Sequence, residues 1–302
     1  MDKLQAEIKR LAREKNAIIL AHNYQPAEIQ DVADLVGDSL ELSLKAKNTD
    51  ADIIIFCGVH FMAETAAIVC PDKKVVIPRI DAGCQMADML DVKKLKQEKY
   101  KYKGNIPVVT YVNSTAQVKA ESTICCTSAN SIRVVNSLEE DEVLMVPDRN
   151  LANWTSINTS KTIHYFNGYC PIHELLTKKE IERLLQEYPD AQVMVHPECR
   201  PEVVSMAHVV KSTSGMLSYP EISNAKTFIV ATEVGMLHPL KKKYPDRTFI
   251  PASPKMICPD MKLISLEILL NAIKTEAPQV KIKEDIRKRA LGSVERMLAL
   301  SR

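Results

Sequence analysis

The sequence predicts an α/β protein built from three similar three-layer αβα units with parallel sheets, set around a pseudo-threefold axis. Three observations predict it. The apolar runs are short, β-branched and nearly continuous, the pattern of parallel strands buried on both faces. Helical stretches separate them. The chain also aligns with itself at shifts of 89 and then 85 residues, a period far longer than that of solenoid repeats, so each copy is a small domain.

The elements recur in order. A first strand opens each copy: AIILAHNY from Ala17, VVTYVNS from Val108 and VMVHPEC from Val193. In this register His22 falls on Tyr111 and His196, and Tyr24 falls on Asn113 and Glu198. A short polar break follows, in which Ser39 of GDSLEL falls on Ser128 of CTSANS and Thr213 of KSTSGM. Ser and Thr favour helix N-caps, and the free N–H groups of a helix start suit phosphate or carboxylate, so three such breaks predict an anion-binding chamber. Second strands come next: DIIIFCG, EVLMVPD and TFIVATE. Each copy closes on an apolar run, a polar tip and a cysteine: KKVVIPRIDAGC, KTIHYFNGYC and RTFIPASPKMIC. The predicted units are residues 1–84, 85–172 and 173–262. Residues 263–302 carry helical spacing at Ile264, Ile268, Leu269 and Ile273, and again at Ala290, Val294 and Met297. They are predicted to pack on the first unit.

Composition narrows the function classes. Forty basic and thirty-eight acidic residues leave a formal charge of +2, and one Trp and five Phe offer no platform for stacking bases. Both argue against nucleic acid. No apolar run approaches a membrane span or a signal core, which predicts no membrane partner and a cytoplasmic location. Thiols stay reduced there, so eight cysteines read as buried residues or ligands.

Cys84, Cys170 and Cys258 are the ligand candidates, because each stands beside turn residues at the end of a strand. There is no CxxC pair of the structural-zinc type. Three soft thiolates without a fourth favour an iron–sulfur cluster with one iron free for substrate. Cys57, Cys70, Cys125, Cys126 and Cys199 read as buried. Glu198 is the first candidate base, with Tyr24, His196 and Tyr111 beside it, and His173 points to the metal's surroundings or to substrate. A hydro-lyase of the aconitase type, an iron–sulfur sensor and a zinc protein remain open on these residues alone.

The strings AHNYQ, GDSLEL, DAGCQMAD, TYVNS, GYCPIH, HPEC and KSTSGM, in this order and spacing from about residue 18 to 262, resemble the quinolinate synthase family of de novo NAD biosynthesis. The resemblance implies three αβα domains about a pseudo-threefold axis. It implies condensation of iminoaspartate with dihydroxyacetone phosphate to quinolinate, phosphate and water. Its cofactor would be a [4Fe-4S] cluster on Cys84, Cys170 and Cys258 with one open iron. Substrate contacts would fall to His22, Tyr24, Ser39, Tyr111, Val112, Asn113, Ser128, His196, Pro197, Glu198 and Thr213. An L-aspartate oxidase or dehydrogenase would be a transient partner supplying the imine. Some members carry a further cysteine in a CxxC arrangement at the third ligand; here the run is Cys258-Pro259-Asp260-Met261.

Overall fold

The computed structural model describes residues 3–102 and 106–300. Parts of the expected units and of the C-terminal stretch, residues 1–2, 103–105 and 301–302, lie outside the described residues. Among the described residues no helix is long and apolar enough to cross a membrane.

Three four-stranded parallel sheets form, one per copy. The first contains β1 (Ala17–His22), β2 (Leu35–Gly37), β3 (Ile53–Cys57) and β4 (Lys74–Val76). The second contains β5 (Val108–Tyr111), β6 (Ile124–Cys126), β7 (Glu142–Val146) and β8 (Thr162–Tyr165). The third contains β9 (Gln192–Val195), β10 (Val209–Val210), β11 (Thr227–Ala231) and β12 (Thr248–Pro251). The order is β2-β1-β3-β4, then β6-β5-β7-β8, then β10-β9-β11-β12. Register repeats as well as order. Ala17 lies opposite Ile53, Val108 opposite Leu144 and Gln192 opposite Phe228, the same separation along the chain each time. Leu20 opposite Leu35, Val109 opposite Ile124 and Met194 opposite Val209 do likewise. A shared register in a sheet fixes which residues face the core and which tip faces the site.

The central strands are apolar because both their faces are covered: all five residues of β3 are buried. The first and second units share one continuous core, running from Ile18 and Phe56 through Val109 and Met145 to Met297. The third unit has cores of its own around Val193 and Phe228. Met261 reaches into the shared core, Tyr24 packs against the Phe228 core, and polar contacts tie the third unit to the first. Asn23 Nδ2 donates to Thr213 Oγ1 (2.8 Å), Gln30 Nε2 to the Gly235 carbonyl (3.2 Å), and Gln25 Nε2 to the Met261 carbonyl (2.9 Å).

The C-terminal stretch forms two helices with different seats. The first, Leu266–Thr275, lies against helix Lys3–Glu14 and β3. The last helix, Glu284–Ala299, instead spans helix His60–Val69 of the first unit and helix Ala116–Ala120 with β6 of the second. Its apolar stripe of Ala290, Val294, Met297 and Leu298 enters the shared core. Its rims are tied on both sides, by Lys47 to Glu295 (2.7 Å) and by Arg289 to Glu121 (2.7 Å). Exposed pairs of this kind contribute about 0–1 kcal/mol each, so the stripe sets the position and the pairs set its edges.

Candidate active site

The strand tips converge on one cavity. The first strands deliver His22 and Tyr24, Tyr111 and Asn113, and His196 and Glu198 to it. The polar breaks deliver Ser39, Ser128 and Thr213, and the cysteine loops deliver Cys84, Cys170 and Cys258. His173 lines it too. This is the carboxyl edge of all three parallel sheets, where strand-to-helix loops gather. Val112 and Pro197 do not line it; Val112 is core, and its N–H donates to the Cys126 carbonyl (2.9 Å).

The helix starts differ from expectation. Ser39 and Thr213 are the first residues inside their helices, and the caps are Asp38 and Ser212. Ser128 lies in a turn ahead of helix Ser131–Asn136. Asp38 and Glu41 form a capping box: Asp38 accepts from the Leu40 and Glu41 N–H groups while Glu41 accepts from Asp38 N–H. That box was readable in GDSLEL. The box frees the Ser39 hydroxyl from capping, as the Ser212 cap does for Thr213. Among the described residues no Lys or Arg lines the cavity, and its hydroxyls and backbone N–H groups suit an anion.

Glu198 is the centre of the electrostatics. It is buried, and its Oε2 lies 2.8 Å from His173 Nδ1 and 3.6 Å from His196 Nδ1. Burial pushes its carboxyl up, but the two histidines and hydrogen bonds from His173 and Tyr111 outweigh this and hold it at about 2. Burial pulls His196 down to about 3 against the pull of Glu198, and does the same to His22. Both rings are therefore neutral near pH 7. Burial and the Glu198 charge raise the Tyr24 and Tyr111 phenols well above their usual value, so both stay protonated as donors.

A hydrogen-bond chain follows. Tyr24 OH meets Thr232 Oγ1 at 2.5 Å, Thr232 Oγ1 meets His173 Nε2 at 2.8 Å, and the carboxylate of Glu198, an acceptor only, takes the hydrogen of His173 Nδ1. The chain joins the first unit's tyrosine to the third unit's glutamate. Thr232 had no signal in the sequence beyond its place after β11.

The buried neutral histidines predict a pH dependence of stability. Unfolded histidines take up protons near pH 6.5, whereas folded His22 and His196 resist protonation until about 3. Their contribution is complete above pH 6.5 and is lost as pH falls towards 3, with a slope of up to about 1.4 kcal/mol per pH unit for each ring. The melting temperature of the metal-free protein should fall between pH 7 and 5.5. His22→Asn should flatten that fall, and an unchanged slope in the variant would refute the assignment.

The eight cysteines divide cleanly. All are free thiols; Cys57, Cys70, Cys125, Cys126 and Cys199 are buried, and Cys84, Cys170 and Cys258 are half-buried at the cavity. Burial pushes the Cys84 thiol up to about 12 and Cys258 up to about 11, and raises Cys170 as well. Metal loading must therefore expel protons. One candidate metal group exists among the described residues: donor atoms of Cys170, His173 and Glu198 lie within 4.8 Å of one another. Among the described residues the three cysteine sulfurs do not form such a group.

The loop carrying Cys170 tolerates no side chain at Gly168. A Cβ there would sit 2.4 Å from the Pro147 carbonyl oxygen, a backbone atom with nowhere to go. Gly168→Ala should cost about 1–3 kcal/mol, read as a lower urea midpoint at unchanged slope.

A family model described as Quinolinate synthetase A protein matches residues 6–299. The chain belongs to the quinolinate synthetase A protein family. It is 53% identical over 301 residues to "Quinolinate synthase" of Geotalea uraniireducens strain Rf4, covering 100% of this chain and 99% of the relative. It is 52% identical over 299 residues to that of Geobacter sp. strain M21, covering 99% and 98%. Over 297 residues it is 52% identical to that of Thermodesulfovibrio yellowstonii, covering 97% of each. In this quinolinate synthetase A fold, three sheets of one design give one site with three different faces. The triplicated backbone supplies the places, and the side chains at them have diverged: His22, Tyr111 and His196 occupy one such set.

Proposed function

We propose that the chain condenses iminoaspartate with dihydroxyacetone phosphate to quinolinate, phosphate and water. The observation that carries this reading is that Cys84, Cys170 and Cys258, one per unit, meet in the same cavity as Glu198, Tyr24 and the hydroxyls of Ser39, Ser128 and Thr213. The thiols fit a [4Fe-4S] cluster in number and in half-burial. With three cysteines as ligands, such a cluster supplies one iron as a Lewis acid for an oxygen leaving from substrate.

The protein's own groups do the rest. Neutral His22 and His196, protonated Tyr24 and Tyr111, and Asn113 offer polar contacts without adding charge to anionic substrates. Ser39, Ser128 and Thr213 suit carboxylate and phosphate oxygens. Glu198 is unprotonated at neutral pH, as a base must be. An anion bound beside it raises its proton affinity towards a working range. The setting is the cytoplasm, where eight free thiols stay reduced. An L-aspartate oxidase or dehydrogenase would supply the short-lived imine.

One observation favours a second reading, mononuclear zinc, because Cys170, His173 and Glu198 could hold one ion. An anaerobic assay for quinolinate from the two substrates, with iron, sulfide and zinc counted on the same sample, tests both. Quinolinate formed by iron- and sulfide-containing protein supports the condensation. Zinc without iron or sulfide, and no quinolinate, overturns it.

A further inference from the structure

The cysteine loops are held by a device that repeats with the fold. Directly after the third strand of each sheet order, one N–H donates to the carbonyl two residues before the cysteine. His60 N–H donates to the Ala82 carbonyl (2.7 Å), Arg149 N–H to Gly168 (2.8 Å) and Val234 N–H to Met256 (2.9 Å). The residue before each donor is Val59, Asp148 and Glu233 in turn. The two acids are both buried.

Glu233 Oε1 accepts from the backbone N–H of Cys258 itself (3.1 Å), and Oε2 accepts from Gly235 N–H (2.7 Å). Lys262 neutralises the carboxylate at 2.9 Å and donates onward to the Tyr24 carbonyl. The crossing is too tight for a side chain: a Cβ at Gly235 would lie 2.8 Å from both Glu233 Oε2 and the Tyr24 carbonyl oxygen. Asp148 Oδ1 accepts from Leu151 N–H (2.7 Å), and the Asp148 backbone bridges in parallel to Gly168, two residues before Cys170. Its buried Oδ2 has no hydrogen-bond partner among the described residues. The first unit has valine here and no acid of its own. Its loop is tied from the third unit, where Asp260 Oδ1 accepts from Gly83 N–H (3.3 Å), next to Cys84.

We propose that Asp148 and Glu233 are positioning residues that aim the thiols of Cys170 and Cys258 at the shared metal site, and that Asp260 does this for Cys84 from the third unit. The inference rests on the cluster reading of the three cysteines. Asp148 and Asp260 hold backbone one or two residues ahead of their cysteines, which fixes the loop dihedrals, and Glu233, which occupies the N–H of Cys258 itself, also keeps that N–H away from sulfur. Both effects govern how tightly and at what potential a thiolate-held cluster sits.

The test uses anaerobically purified holoenzyme of the parent, Asp148→Asn, Glu233→Gln and Asp260→Asn, with Glu64→Gln as control. Glu64 is a buried carboxylate that accepts from Ala116 N–H (2.9 Å) and bonds no cysteine loop. Three quantities are read: iron release to a chelator, the electron paramagnetic resonance signature and potential of the reduced cluster, and the melting temperature. Release should quicken about tenfold or more in the three loop variants, with a shifted signature, and the potential should rise in Glu233→Gln. Glu64→Gln should lower the melting temperature and leave release and signature at parent values. Asp148→Asn and Asp260→Asn carry the test if Glu233→Gln does not fold. Parent-like release and signature in folded loop variants overturn the proposal. A parent that holds no iron overturns the cluster reading beneath it.

Discussion

Glu198→Gln should lower kcat by about 100- to 10,000-fold while keeping iron and sulfide at parent levels. Glutamine keeps the shape of glutamate and can still accept through its carbonyl from His173 or Tyr111. It loses the negative charge and cannot take a proton. The charge is what makes the site work as described: it opposes the loss of basicity that burial imposes on His22 and His196, and it raises both phenols. Glu198 also lies within reach of groups from the other two units, because Tyr111 hydrogen-bonds to it and the Tyr24 chain ends on it. KM should change less than kcat if the residue moves a proton and does not merely bind. The measurement is steady-state quinolinate formation with iron counted on each preparation. Activity near that of the parent removes Glu198 from the role of base.

The second large effect concerns the thiols. Cys84→Ser, Cys170→Ser and Cys258→Ser should each abolish the brown chromophore of anaerobically purified protein, with quinolinate formation falling to background. Cys57→Ser and Cys70→Ser should keep both. The contrast is physical. Cys57 and Cys70 are enclosed by core, where burial pushes their thiols up, Cys70 to about 11. The three half-buried cysteines face a shared space, and Cys84 acts electrostatically on Cys170 and feels Cys258. A hydroxyl is a poor substitute for a thiolate toward iron, so a single change removes one corner of the coordination. Visible absorption and iron content decide it. Equal colour in all five variants would refute the ligand set.

Much of the site was legible because triplication converts a weak pattern into a register. A lone histidine at a strand end says little. His22, Tyr111 and His196 at one fixed shift mark three equivalent tips, and the structure brings all three to one cavity. The same shift carried an unread signal: Val59, Asp148 and Glu233 are equivalent, and two of them are buried acids beside cysteine loops. Thr232 was not legible, since its role comes from Tyr24 and His173, both distant in sequence. The seat of helix Glu284–Ala299 was not legible either. An apolar stripe declares that a helix packs, and the cleft that receives it exists only once the first two units share a core.

By itself, the sequence determined the strands, their copy number, the cysteines that end each copy and the residues at the tips. These follow from period, β-branching and spacing, which are local properties of the chain. Tertiary structure decided which oxygen meets which nitrogen: the ionised Glu198 between two buried histidines, the Asp38 cap that frees Ser39, and the acids that grip the cysteine loops. Those outcomes depend on burial and on distances between residues from different units, and neither quantity exists until the units are packed together.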